Sequence, residues 1–151
     1  MSLLRTAAAA LAALMVLTAC GKQADGKQAK EPSWRVSDAH MNAMPPGQTR
    51  AAVYLKLENP APRERMIQYV ATPIAGTTEV HRHFHEDGMM KMRAVAHARV
   101  AAQSTLEFKP GGYHIMLLDV AEAPEVGSRF PLTFEFDGGE RLEVEVEVRP
   151  R

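Results

Sequence analysis

The sequence predicts an all-β domain, a sandwich or barrel of short strands, from three observations. Near the C-terminus, apolar residues alternate strictly with charged ones at Leu142, Val144, Val146 and Val148, which is the pattern of a strand with one buried face. Short apolar runs elsewhere are separated by turn-forming pairs such as Asn59-Pro60 and Asp87-Gly88. After the first twenty residues, no stretch keeps a long apolar period of 3.6 residues.

The strands can be placed in chain order from the same signals. We predict strands over 51–58, 65–70, 77–84, 89–95, 104–108 and 113–119. A hairpin follows, in which 132–136 and 142–148 are joined through Asp137-Gly138-Gly139, because glycines accept the positive φ of tight turns. His40, Met41 and Met44 are interpreted as part of an ordinary loop.

The N-terminal segment indicates export and lipid attachment. Residues 1–19 carry Arg5 and a continuous apolar run from Ala7 to Val16, which is too short for a comfortable membrane span and is typical of a signal peptide. The ending Leu17-Thr18-Ala19-Cys20 resembles a bacterial lipobox, which implies lipidation of Cys20. An ordinary signal peptide with an incidental cysteine is the alternative.

Downstream of the cysteine, the chain divides into a tether and one domain. Residues 20–33 are polar and contain no large apolar side chain, as expected of a flexible tether. Residues 34–151 are long enough for one domain with its own core. Gly21 in place of aspartate favours the outer membrane, by resemblance to lipoprotein sorting rules.

Composition excludes several classes of function. The chain has 18 basic and 18 acidic residues and no basic stripe, so nucleic-acid binding has no electrostatic footprint. Cys20 is the single cysteine, which excludes an intramolecular disulfide and argues against a cysteine-based metal site. A blue-copper electron-transfer centre requires a thiolate ligand, so that function is not expected.

Four residues form the strongest functional pattern: His81, Met92, His114 and Met116, spaced H-x10-M-x21-H-x-M. Thioether sulfur is a soft ligand that suits Cu(I), and imidazole suits several late transition metals. A His/Met set without thiolate or carboxylate is a poor zinc or iron site and a plausible copper site.

Hairpin geometry is compatible with such a site. If Asp87-Gly88 forms the turn, His83 faces Met92 and His85 faces Met90, with His81 diagonal to Met92. Side chains two apart on a strand share a face, so the histidines and these methionines lie on one face. His114 and Met116 share a face of their own strand for the same reason.

The motifs resemble those of the periplasmic copper chaperones of the PCuAC family. The resemblance covers roughly residues 34 to 149 and is carried by Glu79-Val80-His81, Glu86-Asp87-Gly88, the run 90–93 (MKMR) and the run 109–116 (KPGGYHIM). It implies a cupredoxin-like (Ig-like) β-sandwich and a periplasmic, non-enzymatic Cu(I) chaperone. It also implies His81, Met92, His114 and Met116 as ligands, with the copper subunit of cytochrome oxidase and other copper-assembly factors as partners.

The run His81-x-His83-x-His85 departs from the family pattern and leaves alternatives open. We interpret His83, His85 and Met90 as an auxiliary metal site for Cu(II), since imidazole favours the oxidised ion more than thioether does; a solvated strand face is the other interpretation. A zinc enzyme using the three histidines is a further hypothesis, although it leaves the methionines unexplained. Copper sequestration differs from delivery only in its partners.

Overall fold

The computed structural model describes residues 33–151, which belong to one compact unit and contain only β-strands and connecting turns. The predicted leader and tether, residues 1–32, lie outside the described residues. The strands are β1 (Arg35–Asn42), β2 (Ala51–Asn59), β3 (Arg65–Ala71), β4 (Ala75–Glu86), β5 (Met89–Ala94), β6 (Ala98–Val100), β7 (Ser104–Phe108), β8 (Tyr113–Val120), β9 (Arg129–Phe136) and β10 (Arg141–Arg149).

All ten strands hydrogen-bond into one ladder in the order β5-β4-β8-β7-β2-β1-β10-β9-β3-β6, with a further pairing of β8 to β2. Most neighbours are antiparallel, whereas β1 pairs with β10, and β7 with β8, in parallel. β3 contacts β4 although the two lie near opposite ends of the ladder. Apolar residues from strands along the whole ladder belong to one core cluster, and the described residues contain no helix, which confirms the predicted all-β class.

The core follows the alternation seen in the sequence. On β10, Val144, Val146 and Val148 are buried, and their glutamate neighbours point outward. Other strands contribute further apolar side chains, namely Val53, Leu55, Leu57, Ile115, Leu117, Phe130, Leu132, Phe134 and Phe136. These alternating positions orient the functional face, because the residues between buried ones on β4 and β8 must point away from the core.

Two strands were not predicted. β1 occupies the segment interpreted as a loop, so that interpretation was wrong for His40 and Met41: Met41 is fully buried, and His40 lies 5.7 Å from the Tyr54 ring, centroid to centroid. A bulge between Ser37 and His40, where Asp38 has φ of 57°, breaks the alternation that would have revealed the strand. β6 is only three residues long and leaves no periodic signal.

Candidate metal centre

The predicted metal-binding residues lie on three adjacent strands, β5, β4 and β8. His83 pairs with Met92, and His85 with Met90, in the predicted register. His81 pairs directly with His114 across β4 and β8. Cross-strand partners share a face. The intervening Val80 and Ile115 are buried in the core, so the histidines and methionines occupy the opposite, outer face.

Two turns set this arrangement. Asp87 and Gly88 have φ values of 54° and 75°, as a two-residue hairpin turn of type I′ requires. Before β8, the chain turns through the Lys109–Tyr113 segment, closed by a hydrogen bond from the Lys109 amide to the Tyr113 carbonyl of 2.7 Å. The His83 amide donates to the Gly112 carbonyl at 3.2 Å, which ties β4 to this second turn.

His114 is the most deeply placed of these histidines, with 3% of its surface exposed. Its Nδ1 lies 3.2 Å from the Gly112 carbonyl oxygen, which can only accept, so Nδ1 carries the proton in the neutral ring. The deprotonated Nε2 then faces the Met92 Sδ at 3.0 Å. Two lone-pair donors meet at this point, an arrangement that a shared cation would stabilise.

The electrostatic surroundings favour neutral His114. Burial lowers the pKa of His114 below its ordinary value of 6.5. The nearby His83 and His81 lower this pKa further, whereas the hydrogen bond to Gly112 opposes the shift. A neutral imidazole is the form that ligates a metal ion.

His81 is held in the opposite tautomer by a carboxylate. Glu79 lies two residues earlier on β4, and its Oε2 is 2.7 Å from His81 Nε2. Because a carboxylate accepts, Nε2 carries the proton and Nδ1 presents its lone pair. That Nδ1 is buried and has no hydrogen-bond partner. Sequence reasoning gave Glu79 no role; the only signal was its place two residues before His81, on the same strand face.

His83 is close to the same point. Its ring centroid lies 5.0 Å from that of His114, compared with 5.8 Å between His81 and His114. The Nδ1 of His83 is also buried without a hydrogen-bond partner. The structure therefore brings His81, His83, His114 and Met92 together.

The remaining predicted residues occupy two other positions. Met116 is half-buried and lies two residues beyond His114 on β8, opposite Glu79. His85 and Met90 are exposed and lie towards the hairpin turn. Within residues 33–151, no group of three or more His, Cys, Asp or Glu side chains is arranged to hold a metal ion. The donors that approach one another thus combine imidazole with thioether.

Comparison with known proteins shows which family this chain belongs to. A family model named LpqE-like, a lipoprotein family, matches residues 35–148. The chain belongs to the LpqE-like family. A protein of Leifsonia xyli named as a lipoprotein, Lxx21020, is 31% identical over 130 residues, which cover 85% of this chain and 73% of that protein. RP573 of Rickettsia prowazekii, an uncharacterised protein, is 29% identical over 101 residues, 66% of this chain and 56% of its own length.

Solved structures, among them PCuAC domains, share the fold of this LpqE-like protein. The copper-bound PCuAC domain from PmoF2 superimposes with a TM-score of 0.66 at 19% identity, covering 80% of this chain and 96% of that domain. The apo form of DR1885 from Deinococcus radiodurans gives a TM-score of 0.61 at 27% identity, covering 100% and 97%. The predicted resemblance to PCuAC domains is confirmed, and with it the cupredoxin-like β fold.

Information on membrane attachment comes from the comparison with relatives, and the described strands add none. Within residues 33–151, no helix is long and apolar enough to cross a bilayer. Cys20, the predicted lipidation site, lies outside the described residues. The lipoprotein names of the LpqE-like family and of the Leifsonia relative agree with the lipobox interpretation.

Proposed function

We propose that this protein is a lipid-anchored copper chaperone that binds Cu(I) through His81, Met92, His114 and Met116. The observation that carries the proposal is the approach of His114 Nε2 to Met92 Sδ at 3.0 Å. His81, which pairs with His114 across the strands, has a buried Nδ1 without a partner. The copper-bound PCuAC domain from PmoF2 and the Cu(I)-bound form of DR1885, which share the fold, support the proposal.

The chemistry of these donors suits a carrier. Thioether sulfur is soft, neutral and unprotonated at physiological pH, and imidazole completes a Cu(I) site. Methionine also escapes the disulfide formation that disables cysteine sites in oxidising compartments. None of the proposed ligands carries a charge, so the ion can leave by stepwise ligand exchange with a recipient.

The cellular role follows from the same proposal. The recipients are the copper subunit of cytochrome oxidase and other copper-assembly factors, with the protein held at the periplasmic side of a bacterial membrane, the outer membrane by preference. Copper sequestration would use the identical site and differ only in lacking a recipient. Catalysis is not part of the proposal, since the face carries donors for a soft ion and we assign it no catalytic group.

Replacing the thioethers tests the site. Met92→Leu and Met116→Leu should each weaken Cu(I) binding by about tenfold or more, the scale on which even outer-shell changes act at metal sites. Leucine is close to methionine in volume, so the packing loss should stay below about 1.5 kcal/mol. Competition with a chromophoric Cu(I) chelator measures the affinity, and X-ray absorption reports sulfur ligation.

Met90→Leu is the matched control, because Met90 lies on the same strand face, exposed and two residues from Met92. It should leave the Cu(I) affinity unchanged. Wild-type affinity in both the Met92 and the Met116 variant would reject the proposed ligand set. Preference for zinc without sulfur scattering would instead favour the imidazole-only alternative.

A further inference from the structure

We infer that copper binding recruits His83 to the same site as His81 and His114, whose rings lie near one another but are not arranged round one point in the present structure, and that this third imidazole enables the site to hold Cu(II) as well as Cu(I). This inference rests on the proposed copper-binding function and deepens it. It also separates His83 from His85 and Met90, the other two residues of the auxiliary site predicted from the sequence, because those two residues do not belong to the copper site.

The position of His83 is the first argument. It pairs directly with Met92, whose Sδ lies 3.0 Å from His114 Nε2. Its ring is closer to that of His114 than the ring of His81 is, 5.0 Å against 5.8 Å between centroids. His83 therefore adjoins both members of the shortest donor contact in the site.

Unpartnered nitrogens are the second argument. Among residues 33–151, the buried side-chain nitrogen and oxygen atoms without a hydrogen-bond partner are His81 Nδ1 and His83 Nδ1. A buried polar atom without a partner is costly, and native structures rarely keep one without a reason. Both rings lie close to that of His114, at 5.8 Å and 5.0 Å between centroids, and a bond to a metal ion would give each nitrogen the partner that it lacks.

His85 provides the contrast. It lies two residues further along β4 on the same face, but it is exposed and pairs with Met90, which is 56% exposed. Its ring nitrogens are accessible to water, so nothing in its surroundings calls for a metal. The alternation of the strand gives both histidines the same orientation, and only burial separates them.

The third imidazole changes which oxidation state the site accepts. Thioethers favour Cu(I), whereas imidazole nitrogens suit Cu(II). Two histidines with two methionines form a site biased to the reduced ion. A third nitrogen donor supplies a nitrogen-rich set without displacing the sulfurs. Cu(I) and Cu(II) should consequently compete for one position, with one copper ion bound per chain.

Paired substitutions test the inference. His83→Ala should lower Cu(II) affinity by about tenfold or more and remove one coupled nitrogen from the Cu(II) electron paramagnetic resonance spectrum. Its effect on Cu(I) affinity should be smaller. His85→Ala, the matched control, should change neither affinity. Circular dichroism checks folding, and His83→Gln, which keeps bulk without imidazole, replaces the alanine variant if that variant does not fold.

Each outcome decides a separate question. The inference would be overturned if the His83 and His85 variants had equal Cu(II) affinities, or if one chain bound one Cu(I) and one Cu(II) at the same time. It would also be overturned if the wild-type protein bound Cu(I) and no Cu(II). Wild-type protein that binds Cu(II) and no Cu(I) would overturn the proposed function, and the same Cu(II) comparison would still decide the role of His83.

Discussion

Two hydrogen bonds determine which nitrogen each paired histidine presents. The Glu79 carboxylate accepts a hydrogen bond from Nε2–H of His81, and the Gly112 carbonyl accepts one from Nδ1–H of His114. His81 therefore offers Nδ1, and His114 offers Nε2. Such outer partners fix the ring orientation and raise the basicity of the ligand nitrogen. Glu79 is in this sense a positioning residue for the proposed site.

Removal of this carboxylate gives a prediction. Glu79→Ala should weaken Cu(I) binding by about 10- to 100-fold, the usual cost of losing an outer-shell partner. Glu79→Gln keeps an acceptor oxygen and should restore part of the affinity. Nitrogen NMR of the His81 ring in the metal-free protein provides a second readout, since the wild type should show a proton on Nε2 and the alanine variant a mixture of tautomers. Unchanged affinity together with an unchanged tautomer would refute the assignment.

At this scale, the sequence predicted the shared face of the residues and missed their individual environments. Strand alternation places His81, His83 and Met92 on one side whatever surrounds them. The burial that separates His83 from His85 depends on β8 and the Gly112 turn, which lie about thirty residues away in the chain. The role of Glu79 requires a side-chain rotamer, and no spacing rule encodes one.

The hairpin of β4 and β5 is the element on which the site depends. Its two-residue turn fixes the pairing of His83 with Met92, and a slip by one residue would move Met92 to the opposite face. Asp87-Gly88 was sufficient to predict this register, because few turns accept two positive φ values. β1, by contrast, was not predicted, because its bulge disrupts the alternation of buried and exposed residues.

A pair of glycine substitutions tests this dependence. Gly88 has φ of 75° and Gly138, in the turn between β9 and β10, has φ of 84°; a Cβ at either position would meet no atom within 4 Å. Gly88→Ala and Gly138→Ala should each cost about 1 kcal/mol of unfolding free energy through backbone strain alone. Denaturant unfolding measures that cost.

Copper affinity should distinguish the two variants. Gly88→Ala strains the turn that holds Met92 opposite His83, so it should also weaken Cu(I) binding. Gly138→Ala strains a hairpin that carries none of the proposed ligands and should leave affinity unchanged. Equal affinities in both variants would show that the site does not depend on the register of the β4–β5 hairpin.

For the molecule as a whole, the fold class could be predicted and the pairing of distant strands could not. Alternation and turn signals are local, so they identify strands and sequential hairpins. The parallel pairing of β1 with β10 joins segments about a hundred residues apart, and no local pattern specifies it. The same holds for the direct pairing of His81 with His114.

Membrane attachment gives a prediction at this scale. Cys20→Ser should leave the domain folded and competent to bind copper, because Cys20 precedes the described strands, and should release the protein from the membrane. Stable anchoring needs more than one acyl chain, which a lipobox cysteine would carry. Fractionation of cells that express each form measures the distribution. A wild-type protein recovered entirely in the soluble periplasmic fraction would show that residues 1–19 are an ordinary signal peptide.

The direct pairing of His81 with His114 couples metal loading to the lifetime of the protein. These donors, separated by about thirty residues of chain, meet only while β4 and β8 are paired, so an ion held between them is lost on unfolding. By mass action, copper at a hundred times its dissociation constant would stabilise the native state by about 2.7 kcal/mol. A carrier that has released its ion loses this protection, and we expect proteases to clear empty carriers faster than loaded ones.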